Sequence, residues 1–229
     1  MRVLIVDTAL GACSACVVED GRLLGLRAEP MVKGHQERLA GMVRDEVTDA
    51  GGGFGRLNRI GVTVGPGSFT GLRVGMAFAQ GLGAALDRPV VGLSTLDALA
   101  ASVAPVGLVA AVIDARRGQV YARLFCDGVA LGEAEALSLD TAMQRIAEAA
   151  AGTAPTLVGS GAMVLGEAFP DRFAKAVLTP LAAPAPEVLA RMTALADPAT
   201  ALPRPLYLRA PDATPPSRLP GQPRAPAAS

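Results

Sequence analysis

One strand-to-helix loop contains residues that could bind an anion. Gly65, Gly67 and Ser68 follow a short run of β-branched residues, and a helix is expected to begin after them, near Thr70. Backbone N–H groups and the helix dipole at a helix N-terminus can hold a phosphate. The same residues can equally form a tight turn in which Ser68 or Thr70 caps the helix. The loop is not a Walker loop, because no Lys-Ser or Lys-Thr pair follows its glycines.

Histidine and cysteine, which supply many metal ligands and nucleophiles, are scarce in the sequence. His35 is the only histidine, so a zinc or iron site built from several histidines cannot form. Cys13 and Cys16 have the C-x-x-C spacing of redox motifs, but residues 12–19 are predicted to form a strand. Residues three apart on a strand face opposite sides of the sheet. We therefore expect two buried thiols and no metal site in this chain.

The helix after the loop has small residues at every fourth position. Each interior glycine costs about 1 kcal/mol relative to alanine, but a row of small residues lets another backbone approach closely. Two interpretations stay open: the helix is buried between layers of its own domain, or the row is an interface with another protein. The predicted partner-binding residues are this row, the apolar residues beside it and one face of the preceding helix, namely Leu39, Met42, Val43, Gly71, Leu72, Gly75, Met76, Ala79 and Gly83.

Composition limits the classes of function. Lys and Arg (21) balance Asp and Glu (21), so no broad positive surface for nucleic acid or an anionic membrane is expected. The absence of Trp argues against base-stacking surfaces. No signal peptide is expected, because Asp7 follows the start too soon. No uncharged run reaches the roughly 20 residues of a membrane-spanning helix, so we expect a cytoplasmic protein without membrane contact.

The sequence repeats a strand–turn–hairpin pattern. In each half, a strand that ends in Asp is followed by a second strand, an Asp-Gly hairpin turn and a third strand. Four pairs of identical residues share an offset of 107: Asp7 and Asp114, Gly21 and Gly128, Leu24 and Leu131, and Gly25 and Gly132. Two such units at one spacing indicate a duplicated lobe. We predict a first lobe over residues 1–104, a second over 105–209 and a disordered Pro/Ala-rich tail over 210–229.

Helices and parallel strands are expected to alternate after each three-stranded unit. The predicted helices span residues 36–50 and 70–86, begin after Ser94, Ser138 and the Gly159-Ser160-Gly161 run, and end with one from Pro186 to about residue 196. This order, present twice, is that of the actin-like ATPase (ribonuclease-H-like) fold. We therefore predict an α/β protein with two tandem actin-like lobes, of which the second is reduced.

Five motifs in order and spacing resemble the bacterial TsaB (YeaZ) family. They are Asp7-Thr8-Ala9, His35-Gln36-Glu37-Arg38-Leu39, Gly65-Pro66-Gly67-Ser68-Phe69-Thr70-Gly71-Leu72-Arg73, Asp114-Ala115-Arg116-Arg117-Gly118-Gln119-Val120-Tyr121 and Leu206-Tyr207-Leu208-Arg209. The resemblance covers about residues 1–213. It implies that the chain is the non-catalytic partner of the threonylcarbamoyl transferase TsaD. Together with the ATPase TsaE, these two proteins make threonylcarbamoyladenosine in tRNA.

The resemblance also implies where cofactors and partners bind. ATP and metal are expected on the partner subunits and none in this one, tRNA is expected to bind through the complex, and the chain alone is expected to form a homodimer. The His-x-x-x-His metal pair of the catalytic paralogue is missing, because Leu39 stands four residues after His35. Remnants of the nucleotide and phosphate loops are expected at Asp7, Thr8, Gly65, Gly67, Ser68 and Asp114.

Two other functions stay open. A small-molecule kinase of the same fold would use ATP, but it would need intact phosphate and adenosine loops. A metallopeptidase is the less favoured alternative, because the chain has one histidine and no His-Glu-x-x-His motif.

Overall fold

Five strands form the sheet of the first lobe. The computed structural model describes residues 1–31, 34–104 and 106–209. The strands are β1 (Arg2–Asp7), β2 (Ala12–Glu19), β3 (Arg22–Pro30), β4 (Arg59–Gly65) and β5 (Val90–Ser94), in the spatial order β3-β2-β1-β4-β5. Strand β1 is buried along its whole length. It pairs with β2 antiparallel and with β4 parallel, so it lies at the centre of the sheet.

The second lobe repeats this topology with a shorter third strand. Its strands are β6 (Leu108–Arg116), β7 (Gln119–Cys126), β8 (Val129–Ala130), β9 (Glu135–Ser138), β10 (Thr156–Val158) and β11 (Val177–Thr179). Their order is β11-β10-β6-β7-β8, and β9 also pairs with β7. Where the first lobe has the nine-residue β3, the second has the short strands β8 and β9. The predicted duplication and the reduced second lobe of an actin-like fold are therefore confirmed.

The Asp-Gly turns explain why both hairpins form. Asp20 and Gly21 have φ values of 50° and 81°, and Asp127 and Gly128 have φ values of 48° and 80°. Two successive residues with positive φ are typical of the type I′ turn, whose twist matches that of the strands it joins.

In the part of the chain that the structure describes, six α-helices pack against the two sheets. They are α1 (His35–Asp49), α2 (Phe69–Leu86), α3 (Thr95–Ala100), α4 (Leu139–Ala150), α5 (Gly161–Ala168) and α6 (Pro186–Leu195). The side chains of Ser68, Ser94 and Ser138 cap α2, α3 and α4 by accepting a hydrogen bond from a backbone N–H three residues later. The predicted helices are confirmed to within about a turn. Within the described ranges, no helix combines the length and the apolar character needed to cross a lipid bilayer.

Two helices pack on a sheet from the other half of the chain, although α3 also contacts β4 and β5 of the first sheet. Helices α1 and α2 pack on one face of the first sheet, where Leu4, Leu39 and Met76 belong to one core. The opposite face packs against α6, which comes from the second half of the sequence. Conversely, Leu96 and Leu99 of α3 pack against β6 of the second sheet. The predicted boundary at residues 104 and 105 thus separates the two sheets but not the helices that pack on them. The predicted tail, residues 210–229, lies outside the described residues.

The C-terminal segment (residues 201–209) returns to the first lobe. The Gly92 N–H donates to the carbonyl of Ala201 (2.9 Å), and the Leu206 N–H donates to the carbonyl of Val64 (2.8 Å). The amide of Gln80 on α2 donates to the carbonyl of Pro203 (2.9 Å). These hydrogen bonds hold the segment beside α2 and the ends of β4 and β5.

The two cysteines of the C-x-x-C run are buried on opposite faces of the first sheet. Cys13 belongs to the core beneath α1 and α2, and Cys16 to the core beneath α6. Burial raises the pKa of the Cys13 thiol to about 11 and raises that of Cys16 as well. Thiols are the unreactive form at neutral pH, so the prediction of two buried structural cysteines is confirmed.

Candidate functional site

A cleft of about 460 Å³ lies between the two lobes. Its walls include two equivalent segments, the first turn (residues 7–11) and the second turn (residues 114–118), together with the start of α1 and the loop before α2. Of the six predicted loop residues, Gly67, Ser68 and Asp114 line the cleft, whereas Asp7, Thr8 and Gly65 are absent from its wall.

Asp7 ends strand β1 and is only 3% exposed. Its Oδ1 atom accepts hydrogen bonds from the Ala9 N–H (2.9 Å) and from the Thr63 hydroxyl (2.7 Å). Burial raises the pKa of the Asp7 carboxyl, and the two hydrogen bonds act in the opposite direction. These contacts give the Asp7 carboxylate a structural role at the end of β1.

Two further polar groups of the first turn, the Thr8 hydroxyl and the Ala9 carbonyl, bind groups of the α2 segment. The Thr8 hydroxyl donates to the carbonyl of Gly71 (2.7 Å), and the Ser68 N–H donates to the carbonyl of Ala9 (2.6 Å). A Cβ atom at Gly67 would overlap the Ala9 carbonyl, so the glycine is needed for this close approach of two backbones. Ser68, and not Thr70, is the N-cap of α2. The loop therefore adopts the capped turn of the two interpretations and packs directly on the first turn.

Asp114 of the second turn has the same local geometry but a more open environment. Its Oδ1 accepts from the N–H of Arg116 (2.8 Å), two residues later, as Asp7 accepts from Ala9. The Asp114 side chain is 24% exposed and lies 3.5 Å from the guanidinium of Arg116, which is 87% exposed. Its own N–H donates to the Ser160 hydroxyl (3.1 Å). The second turn thus faces the cleft with charged side chains, whereas the first does not.

His35 is the first residue of α1 and lies on the cleft wall. Its Nε2 atom is buried and has no hydrogen-bond partner among the described residues. Leu39, one turn further along α1, is buried in the apolar core, so the second position of a His-x-x-x-His pair holds a core residue with no ligating atom. In the part of the chain that the structure describes, no three His, Cys, Asp or Glu side chains lie close enough to hold a metal ion.

The structure corrects the prediction of the partner-binding residues. Leu39, Met42, Val43, Leu72, Met76 and Ala79 are buried in the lobe's own core, and Gly71, Gly75 and Gly83 are buried beside them. A Cβ at Gly71 or Gly75 would overlap Thr8, and one at Gly83 would overlap Val90. The row of small residues lets α2 approach its own sheet, so it is not a surface for another protein. A helix that is apolar almost all round fits either environment, which is why the sequence did not distinguish them.

The opposite side of α2 is uncovered. We call it the outer face of α2; it comprises the exposed residues Phe69, Arg73, Ala77, Gln80, Gly81 and Ala84. Half-buried Val74, Phe78 and Leu82 lie beside it and pack against the core. A Cβ at Gly81 would meet nothing within 4 Å. Three of its six residues, Ala77, Gly81 and Ala84, are small, and the face is almost uncharged because Arg73 is the only charged residue of α2.

One cluster at the start of this face was not predicted. The Arg73 guanidinium stacks over the ring of Phe69, 3.9 Å from its centroid, and its Nε–H donates to the Tyr207 hydroxyl (3.1 Å). The two rings lie 5.3 Å apart. Phe69 and Arg73 belong to one of the quoted motifs and Tyr207 to another, so those motifs contained a signal, but the sequence separation of 134 residues hid the contact.

Comparisons with known proteins agree with this fold. The family model described as "TsaD: tRNA N6-adenosine threonylcarbamoyltransferase" matches residues 25–214. Two solved structures from Pseudomonas aeruginosa, one titled YeaZ and one titled as similar to peptidase YEAZ, superpose with TM-scores of 0.70 and 0.72 at 26% and 28% identity. They cover 90% and 91% of this chain and 99% of their own. The chain belongs to the TsaB (YeaZ) family.

Sequence relatives of this TsaB-family chain differ in coverage. The Escherichia coli protein named tRNA threonylcarbamoyladenosine biosynthesis protein TsaB is 39% identical over 124 residues, which is 53% of either chain. The chain therefore matches about half the length of this relative. An uncharacterized protein of Mycobacterium tuberculosis is 36% identical over 218 residues, which is 93% of this chain and 94% of its own.

Proposed function

We propose that the chain is a non-catalytic scaffold subunit in the biosynthesis of tRNA threonylcarbamoyladenosine. In this proposal it binds and stabilises a TsaD-type catalytic paralogue in the cytoplasm and acts with a TsaE-type ATPase. The name of the Escherichia coli relative and the description of the matching family support the pathway.

The observation that carries the non-catalytic role is the closed first turn. The Thr8 hydroxyl, one Asp7 oxygen and the Ser68 N–H all bind other groups of the chain. The backbone of Gly67 lies against Ala9, where an open phosphate loop would need space. A phosphate is bound by hydrogen-bond donors, and the two donors among these groups, the Thr8 hydroxyl and the Ser68 N–H, are already bound to backbone carbonyls. ATP and metal are therefore assigned to the partner subunits.

The outer face of α2 is the surface that supports the scaffold role. It is exposed and nearly free of charge, and charged residues are depleted at the centre of protein interfaces. A paralogue of the same fold can place a helix on it through close contact of small residues. When the paralogue is absent, a second copy of this chain takes the same surface, and tRNA binds through the assembled complex.

Two exposed helical alanines provide a matched test of this surface. Ala77 lies on the outer face of α2, and Ala147 lies on α4 of the second lobe. We expect Ala77→Arg to abolish copurification with the TsaD-type paralogue of the same organism, and Ala147→Arg to preserve it. Circular dichroism should show that both variants fold, because both positions are exposed. Equal binding by the two variants would remove the outer face from the interface.

A second measurement tests the non-catalytic role. The purified chain alone should neither turn over ATP nor transfer threonylcarbamoyl to tRNA, and adding the paralogue and the ATPase should produce the transfer. Robust turnover by the chain alone, lost in Asp7→Asn, would instead favour the kinase alternative.

A further inference from the structure

We propose that Arg73, held between Phe69 and Tyr207, binds a carboxylate of the partner protein at the N-terminal end of the outer face of α2. This inference rests on the proposed scaffold function and names the chemistry of the partner at that same surface.

The Arg73 guanidinium is already ordered by its neighbours. One face of the group stacks on Phe69 at 3.9 Å, and the Nε–H is bound to the Tyr207 hydroxyl at 3.1 Å. Stacking and this single hydrogen bond leave the two terminal amino groups for other acceptors, and a carboxylate matches their planar geometry. Because the side chain is already fixed, a partner binds it at a smaller cost in conformational entropy.

The charge of Arg73 has no counterpart in the described part of the chain. Its recorded polar contact is the Tyr207 hydroxyl, and no carboxylate of the described residues lies within ion-pair distance. It is also the only charged residue between the two ends of α2. A partner that covers the outer face must remove this cation from water, which is unfavourable unless the partner supplies an opposite charge.

The aromatic residues of the cluster fit an interface contact. Phe69 and Tyr207 are 43% and 41% exposed although both are large. Tyr207 is held in place because the preceding residue, Leu206, is hydrogen-bonded through its N–H to Val64. Aromatic residues and arginine are the residue types that contribute most of the binding energy at many protein interfaces.

A protein carboxylate fits the site better than a nucleic-acid phosphate. Arg73 is the one cation on a helical face whose other residues are uncharged. A nucleic-acid backbone is bound by neutralising several phosphates at once, and this face offers a single charge. The expected occupant is therefore a helix of the paralogue with small residues along one face and an Asp or Glu at the end that meets Arg73.

The test measures the affinity of the full chain for the TsaD-type paralogue by isothermal titration calorimetry at 50 mM and 300 mM salt. Arg73→Gln should weaken binding at least tenfold at low salt and reduce the salt dependence of the dissociation constant. Arg73→Lys should recover only part of the affinity, because lysine cannot stack and bind in two places at once. Arg172→Gln, which removes an exposed arginine from the second lobe, should bind like the parent chain. Thermal melting should show that all three variants fold.

The outcomes separate this inference from the proposed function. If the parent chain fails to bind the paralogue, both are overturned. If it binds and Arg73→Gln binds equally well, only the carboxylate contact is overturned. If Arg73→Gln keeps the paralogue but loses self-association in analytical ultracentrifugation, the occupant is a second copy of this chain and the assignment to the paralogue is wrong.

Discussion

The first and second turns share a hydrogen-bonding pattern and both line the cleft, but the aspartate is buried in the first and partly exposed in the second. In each, an Asp at the end of the central strand accepts a hydrogen bond from the N–H two residues later. Gly67 and the start of α2 then cover the first turn, whereas Asp114 and Arg116 of the second turn line the cleft. The repeated sequence accounts for the shared hydrogen bond, but the residues that pack on each turn decide whether its aspartate can reach the cleft.

The largest effect should come from filling the contact between α2 and the first turn. Gly75 lies directly against Thr8, so Gly75→Leu forces a side chain into a space with no room for it. We expect the free energy of unfolding to fall by about 3 kcal/mol, or the protein to be insoluble. The measurement is circular-dichroism melting.

Gly81→Leu is the matched control, since Gly81 is on the outer face and a Cβ there meets nothing. It should fold normally and could gain up to about 1 kcal/mol from helix propensity. A folded Gly75→Leu variant with the melting temperature of the parent chain would contradict the packing of α2 described above.

A second comparison replaces the two aspartates. Asp7→Asn should lower the free energy of unfolding by about 1–3 kcal/mol. If the amide oxygen accepts from both Ala9 and Thr63, as the carboxylate oxygen does, the NH₂ group is placed in the same buried site. Asp114→Asn should cost less, because Asp114 is partly exposed. Urea unfolding measures both. Equal costs would mean that the difference in burial has no energetic consequence.

The pH dependence of Asp7→Asn sharpens this comparison. Burial raises the pKa of Asp7 in the folded protein, so folding favours its protonated form. The contribution of Asp7 to stability is therefore greatest below the ordinary aspartate pKa and is lost as the pH rises through the raised value. Asn does not ionise, so the difference in stability between parent and variant should shift in favour of the variant as the pH rises. A difference that moved in the other direction would show that the hydrogen bonds outweigh burial.

Local signals in the sequence predicted most of the fold. The Asp20-Gly21 and Asp127-Gly128 turns and the serine caps depend on neighbouring residues only, and each was predicted from its own short stretch. The packing of α3 and α6 on the sheet of the other half depends on contacts between distant parts of the chain, which periodicity does not record.

The candidate site was harder to predict than the fold. The row of small residues from Gly71 to Gly83 would let any backbone pack closely against α2. Only the position of Thr8 shows that the helix packs against its own sheet. The closure of the first turn depends on Gly67 meeting Ala9, more than fifty residues away in the chain. The contact between Arg73 and Tyr207 joins residues that are further apart still.

The smallest expected change in stability comes from backbone strain that is present in the second turn and absent from the first. Arg116 and Arg117 have φ values of 64° and 55°, a left-handed conformation that costs a non-glycine residue of order 1 kcal/mol. No residue of the first turn has a positive φ. Arg116→Asn should stabilise the protein by up to about 1 kcal/mol, because asparagine tolerates this conformation and the exposed ion pair with Asp114 contributes little. Arg172→Asn is the control for losing an exposed arginine. A lower free energy of unfolding for Arg116→Asn in urea would show that the Arg116 side chain stabilises the turn by more than its backbone strain costs.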